Sequence, residues 1–320
     1  MGNHGLTQKM WSSYRTASSL LKKCCWERKI DFALPVPHET ILIFIHWLAN
    51  ERKVKAGTIN LYLAGIRQLH VAKGFPEHKI RSDLVNLIVR GKQHMDAREK
   101  GLAKQENPPV TIARMKNLKK CLKNSNLEVE QQLLVWSVCT LACWGALRMG
   151  EILSSNESFF DPAYSLLARD IRVGSLVTAD GPTGTLHLLL KSPKESKLGA
   201  SVVVDIYETG DALCPLRAFN KWRKKTTSWQ EDCPAFRQKD GTPLTTRKLN
   251  KILASLAGLE GRIKCHDFRR AAASMLASLG FSDDDIKALG RWSSRAFEEY
   301  IRLPRTKRAA MAKEVARRNR

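Results

Sequence analysis

Residues 266–302 read HDFRRAAASMLASLGFSDDDIKALGRWSSRAFEEYIR. His266 and Arg269 stand three apart, so on a helix they face the same way. Ala271 to Leu279 behind them are small and apolar, the composition of a buried helix. The polar pair therefore projects from the start of a core helix, where free backbone N–H groups favour an anion. A capped helix with a solvated arginine is the plainer alternative, and it leaves the histidine without a role. Asp283, Asp284 and Asp285 invite a metal-site reading, but adjacent residues on a helix point in different directions. Ser282 as N-cap with three acids in the first turn accounts for them better. Tyr300 is locally an ordinary amphipathic residue. Its phenol, with an intrinsic pKa near ~10, is a poor nucleophile unless cations and a proton acceptor assist it.

A second cluster lies far upstream, in CWGALRMGEIL at 143–153. Arg148 follows a long apolar segment at a glycine-bounded turn, where the chain leaves the core. Glu151, three residues on, shares its face and is placed to orient the guanidinium. A structural salt bridge at a helix start is the competing interpretation. The charge of the chain weighs between them. Fifty-four Lys and Arg against thirty-one Asp and Glu give a net charge of +23 and a pI near 9.9. Such a surplus opposes compaction unless a polyanion offsets it, and nucleic acid is the usual one. A ribosomal-type basic protein and a membrane-surface binder are the other classes that charge alone admits. Two arginines, a histidine and a tyrosine in such a chain point to a phosphodiester held by guanidinium groups and attacked by a phenol. That chemistry is DNA strand transfer without a metal or other cofactor.

The remaining composition narrows the setting. None of the eight cysteines forms a CxxC pair, so neither a zinc site nor a disulfide framework is expected. The apolar run at 133–147 is too short and too mixed to span a bilayer. Leu6 stands where acylation after Met1-Gly2 favours Ser or Thr. The expectation is a soluble intracellular protein with no membrane partner.

Apolar periodicity predicts helices at 11–30, 38–52 and 58–72, and a fourth capped by Ser82. Periodicity lapses from Met95, and Pro108-Pro109 stops any helix. The expected organisation is a helical domain at 1–95, a linker at 96–110 and a second domain at 111–320. In the second domain helices resume from Thr111, and 185–190 with 200–206 read as paired strands around a polar connection, 191–199. Helices follow at 215–224, 246–256, 266–279, 283–289 and around Tyr300. The fold class is mainly α with a small antiparallel β-sheet.

Taken in order, Arg148, a lysine between two strands, His266-x-x-Arg269, Trp292 and Tyr300 resemble the tyrosine recombinase, or phage integrase, family over most of the chain. Cys214-Pro-Leu-Arg-Ala218, Ser192-Pro-Lys-Glu195 and Gly290-Arg-Trp-Ser-Ser294 with Tyr300-Ile-Arg302 look like the recombinases of eukaryotic mobile elements, the DIRS-like, Ngaro-like and Crypton groups. The resemblance implies a helical core-binding domain and an α+β catalytic domain that clamp duplex DNA and assemble on it as a tetramer, with no small-molecule substrate. It implies that Tyr300 attacks the scissile phosphate, giving a 3′-phosphotyrosyl link and a free 5′-hydroxyl. Arg148 and Arg269 would hold the non-bridging oxygens, His266 would exchange a proton, and Trp292 would donate its indole N–H and pack on the site. Glu151 would support the first arginine. The lysine that protonates the leaving oxygen falls among Lys191, Lys194 and Lys197, with Lys194 aligning best; Pro193 beside it departs from the pattern and stiffens the connection. A mobile-element recombinase implies a nuclear location, and otherwise a cytoplasmic one, without secretion. Two rivals remain: a type IB topoisomerase, whose histidine comes later in the chain, and a silent DNA-binding protein on the same fold. The basic tail after Tyr300 fits a neighbouring protomer, DNA or nuclear import equally.

Overall fold

The computed structural model describes residues 8–75, 78–101, 109–157, 160–179, 181–191, 200–226, 230–292 and 294–301. The chain divides into two compact units, 1–106 and 107–320.

The first unit is built from α1 (Gln8–Glu27), α2 (His38–His46), α3 (Ala56–Ala72) and α4 (Asp83–Gly101). α2 runs on into a π-helical turn, Trp47–Glu51, so the helix expected at 38–52 changes pitch near its end. The turn buries Trp47, whose indole N–H donates to Glu27 Oε2 at 2.8 Å. Leu21, Ile41, Phe44, Leu48, Ile59, Leu63 and Ile66 form the centre of this core. Ser82 caps α4 as expected, its Oγ accepting from the Val85 amide at 3.2 Å. α4 continues six residues into the stretch expected as linker. The reason is Asp96, which is buried and accepts the Ala56 amide at the head of α3 (2.7 Å) and the Lys92 ammonium (2.8 Å). A charged residue that reads as linker is the anchor between two helices.

In the second unit α5 (Ile112–Lys123) starts at Thr111, whose Oγ1 accepts from the Arg114 amide at 3.3 Å. α6 (Val129–Trp144) is buried continuously from Leu134 to Cys143. A helix apolar on all sides lies at the centre of its domain, and α5, α8 and α10 pack against it. After the short α7 (Met149–Ile152) come three antiparallel strands in the order β1 (Ile171–Thr178), β2 (Gly181–Leu190), β3 (Val202–Tyr207). The expected pair is thus joined by β1, whose residues are mostly exposed and give little alternation to detect. Leu186, Leu188 and Leu190 of β2 with Val204 and Ile206 of β3 turn one face of the sheet into the core. α8 (Pro215–Lys225), α9 (Thr246–Ser255), α10 (Cys265–Leu279) and α11 (Asp283–Gly290) complete the unit, followed by a 3₁₀ helix, Arg295–Tyr300. The fold is mainly helical with a small antiparallel sheet, as its periodicities predict.

Among the described residues no helix is long and apolar enough to cross a membrane. The Asp283–Asp285 run is a helix cap: Ser282 Oγ accepts the Asp285 amide at 3.1 Å, and Asp285 Oδ2 accepts the Ser282 amide at 3.1 Å.

Candidate active site

The site is assembled by two tight turns. The first ends α6. Gly145 packs so closely that an added Cβ would lie 2.7 Å from Ile206 Cδ1 and 3.0 Å from the Leu141 carbonyl. Ala146 then adopts a positive φ of 45°, a conformation that costs an L-residue about 1–2 kcal/mol. That turn releases the chain from the core and delivers Arg148 to the start of α7. Glu151 holds Arg148 twice, accepting from its amide (Oε2, 2.9 Å) and from its guanidinium (Oε1 to Nη1, 3.0 Å). The Glu151 side chain is almost fully buried while that of Arg148 is partly open to solvent. Glu151 and Arg148 thus meet across their three-residue spacing.

The second turn ends α11. Arg291 sits in the left-handed region, φ 54° and ψ 43°. The chain then doubles back so that the Trp292 indole occupies the space a Cβ at Gly290 would need, within 1.7–2.3 Å of that position. The Trp292 ring lies 4.5 Å from the Arg269 guanidinium and 5.8 Å from the Phe297 ring. Arg269 is buried to 1% exposure. Its Nη1 donates to the Ala146 carbonyl and its Nη2 to the Gly290 carbonyl at 2.6 Å. It therefore ties the two turns together. A buried guanidinium needs such acceptors, because an unpaired charge away from water is strongly destabilising.

His266 is exposed in the first turn of α10. Withdrawal of its ring from water lowers its pKa below the usual 6.5. Arg270 pushes the same way, Asp267 opposes, and Arg269 and Arg148 add to the lowering. The shift favours the neutral imidazole, the form able to accept a proton. The head of α10 differs from expectation in one respect. Two amides there are already taken, Lys264 by Asp267 Oδ2 (2.8 Å) and Cys265 by Asn250 Oδ1 (3.0 Å).

These parts share a small core of their own. Ala146, Ala272, Ala273, Ile286, Trp292 and Phe297 cluster together, with Ile301 packed against them. The 3₁₀ helix that Tyr300 closes rests on α10 and α11, so the backbone at Tyr300 belongs to the same assembly; its side chain lies outside the described part. Lys194 and Lys197 also lie outside the described residues. Lys191 follows β2 with its ammonium on Asp170 Oδ2 (2.7 Å) and the Pro162 carbonyl (3.0 Å), an anchoring arrangement. The residue that sequence reasoning quoted without a role is Arg291. Its Nη2 donates to Glu151 Oε2 at 3.1 Å and its Nη1 to the Gly145 carbonyl at 3.3 Å. Nothing in the one-dimensional pattern separates it from the many other arginines of the chain.

No family model matches the chain, and no curated protein does. Solved structures do. The Tn1549 transposon integrase (aa 82–397) in complex with circular intermediate DNA has a TM-score of 0.58 at 12% identity, over 98% of this chain and 96% of that one. XerH site-specific recombinase bound to difH substrate, a pre-cleavage complex, gives 0.56 at 14% identity over 94% and 78%. A lambda integrase (75–356) dimer bound to a COC′ core site gives 0.53 at 14% over 93% and 90%. The fold is that of the tyrosine recombinases. With so little sequence in common, that likeness concerns architecture, and the tyrosine recombinase fold here carries the two-turn arginine site just described.

Proposed function

We propose that the chain is a site-specific DNA recombinase that cleaves and rejoins strands through a 3′-phosphotyrosyl intermediate. One observation carries the reading. Arg148 with Glu151, and Arg269 under Trp292, meet around one small core whose 3₁₀ segment ends at Tyr300. The structural neighbours solved with DNA agree with it.

In this reading the Tyr300 phenolate oxygen bonds to phosphorus as the bond from phosphorus to the 5′-oxygen breaks. The phenol proton passes to the neutral His266, and the leaving 5′-oxygen takes a proton from a lysine of the 191–199 connection, Lys194 by preference. A 5′-hydroxyl of a partner strand then reverses the step, so the phosphodiester energy is conserved and no cofactor is consumed. Arg148 is the guanidinium that meets the non-bridging oxygens first. Arg269, buried beneath Trp292, adds fixed charge at the transferring phosphorus, where preorganised electrostatics act most strongly. The proposed domain roles are DNA binding by the helical region 1–95, connection by the stretch 96–110, and catalysis by 111–320. Duplex DNA, assembly as a tetramer on it, a mobile-element source and a nuclear location complete the reading.

The test is a nicked suicide duplex built from sequences flanking the gene. Wild-type protein forms a covalent adduct and Tyr300→Phe forms none. An adduct that persists in Tyr300→Phe refutes the nucleophile. Site-independent relaxation of supercoiled plasmid identifies a topoisomerase, and tight binding without an adduct a silent DNA-binding protein.

A further inference from the structure

Glu151 receives more than one cation. Its Oε1 accepts from the Arg148 guanidinium at 3.0 Å, and its Oε2 accepts both the Arg148 amide at 2.9 Å and Arg291 Nη2 at 3.1 Å. An isolated Arg148–Glu151 pair would be electrically neutral and would offer an anion little. A second guanidinium on the same carboxylate leaves the group with a net positive charge. It also fixes both carboxylate oxygens, so that Arg148 cannot swing with its partner. The Arg291 side chain is largely buried. Burial lowers its pKa, with Glu151 opposing and the nearby Arg148 charge adding to the lowering. Two guanidinium groups are therefore held close against their mutual repulsion, an arrangement that an incoming anion relieves.

The backbone adds an independent observation. Arg291 occupies the left-handed region, which is strained for a non-glycine residue. Gly290 on one side and Trp292 on the other hold it there, since the indole fills the space beside Gly290. One turn thereby sends Trp292 onto Arg269 and Arg291 onto Glu151. Strain of this kind persists where the surroundings over-determine it. Among the described residues the contacts to Glu151 and the Gly145 carbonyl are the hydrogen bonds of the Arg291 guanidinium.

We propose that Arg291 is a positioning residue that acts through Glu151, locking Arg148 and keeping the Arg148–Glu151–Arg291 group net positive toward the scissile phosphate. The inference rests on the strand-transfer reading for its substrate, but the coupling of the three side chains can be measured without it. Arg291→Asn is the suitable probe, because asparagine tolerates the left-handed backbone and removes the guanidinium. Arg291→Lys keeps the charge without the planar fork.

The experiment compares full-length wild type, Arg291→Asn, Glu151→Gln and the double variant, with Arg291→Lys as rescue. Single-turnover adduct formation on saturating nicked duplex is read beside equilibrium DNA affinity. Arg291→Asn is expected to slow cleavage by about ten- to a hundredfold, short of the loss on removing a direct transition-state donor, while affinity changes by less than about threefold, the split that marks an interaction made in the transition state. Arg291→Lys recovers part of the rate. In the Glu151→Gln background the Arg291→Asn loss shrinks to less than about threefold, as expected of coupled residues. Equal losses in both backgrounds, or wild-type cleavage by Arg291→Asn, overturn the proposal.

A second readout needs no chemistry: the rise in melting temperature produced by inorganic sulfate. It is expected to be lost in Arg148→Gln, reduced in Arg291→Asn, and no smaller in the double variant than in Glu151→Gln. If wild type forms no adduct while this pattern holds, the strand-transfer reading fails and the role of Arg291 stands. A sulfate shift indifferent to Arg291 removes that role.

Discussion

His266 shows what a neighbourhood of arginines does to a single proton site. Partial withdrawal from water and the Arg270, Arg269 and Arg148 charges lower its pKa, against the pull of Asp267. As the proposed proton acceptor it works when neutral, so single-turnover cleavage should hold through neutral pH. The rate should fall only as pH drops through the lowered value, below 6.5. Arg270→Gln removes the largest neighbouring charge that opposes protonation. Its acid limb should move upward toward 6.5 in a pH–rate profile, and a limb that stays in place rules out His266 as the acceptor. At this scale the site was half legible. Arg148, Glu151, His266 and Arg269 could be picked out as candidates by spacing along one helix face or turn. Arg291 did not, because its partner is 140 positions away and only folding makes them neighbours. Arg269 was legible as a candidate, but its burial was not. It took the two carbonyls of distant turns to show that it holds the site together as well as charging it.

Among the elements, the turns carry more information than the helices. The helix patterns were plain in the sequence because apolar residues recur at 3.6-residue spacing, whereas β1 escaped because its side chains are mostly solvated. The α4 extension escaped because its anchor is a buried carboxylate rather than an apolar residue. Asp96→Ala removes the acceptor for both the Ala56 amide and the Lys92 ammonium. It should lower stability by about 1–2 kcal/mol, the size of a lost helix cap, as read by chemical denaturation of the full chain. The Gly290 turn is the more sensitive element. A Cβ there meets the Trp292 ring head-on, and either the ring or the backbone must give. Gly290→Ala should cost about 1–3 kcal/mol of stability, as overpacking does, and should reduce adduct formation more than tenfold by displacing Trp292 from Arg269. Wild-type adduct yield from that variant means the Trp292–Arg269 stack is dispensable.

For the molecule as a whole, charge is the property that spans both units. Eighteen Lys and Arg against nine Asp and Glu fall in 1–106, and thirty-six against twenty-two in 107–320. Neither unit balances the other, so both carry the kind of excess that a polyanion offsets. The fold class was readable because it comes from periodicity, and the proposed chemistry was suggested by side-chain type. The order of the strands and the meeting of the two turns came only with three dimensions. In the proposed reading, DNA binding releases counterions, and the affinity should follow salt accordingly. If the chain neutralises six or more phosphates, its affinity for a duplex should fall by about a thousandfold or more between roughly 50 and 200 mM salt. Fluorescence anisotropy on a fixed duplex measures this as the slope of log K against log salt. Arg148→Gln should leave that slope nearly unchanged while abolishing cleavage, because one site guanidinium contributes about one unit to a sum set by the whole surface. A slope near zero in the wild type would mean that the excess charge does not face DNA.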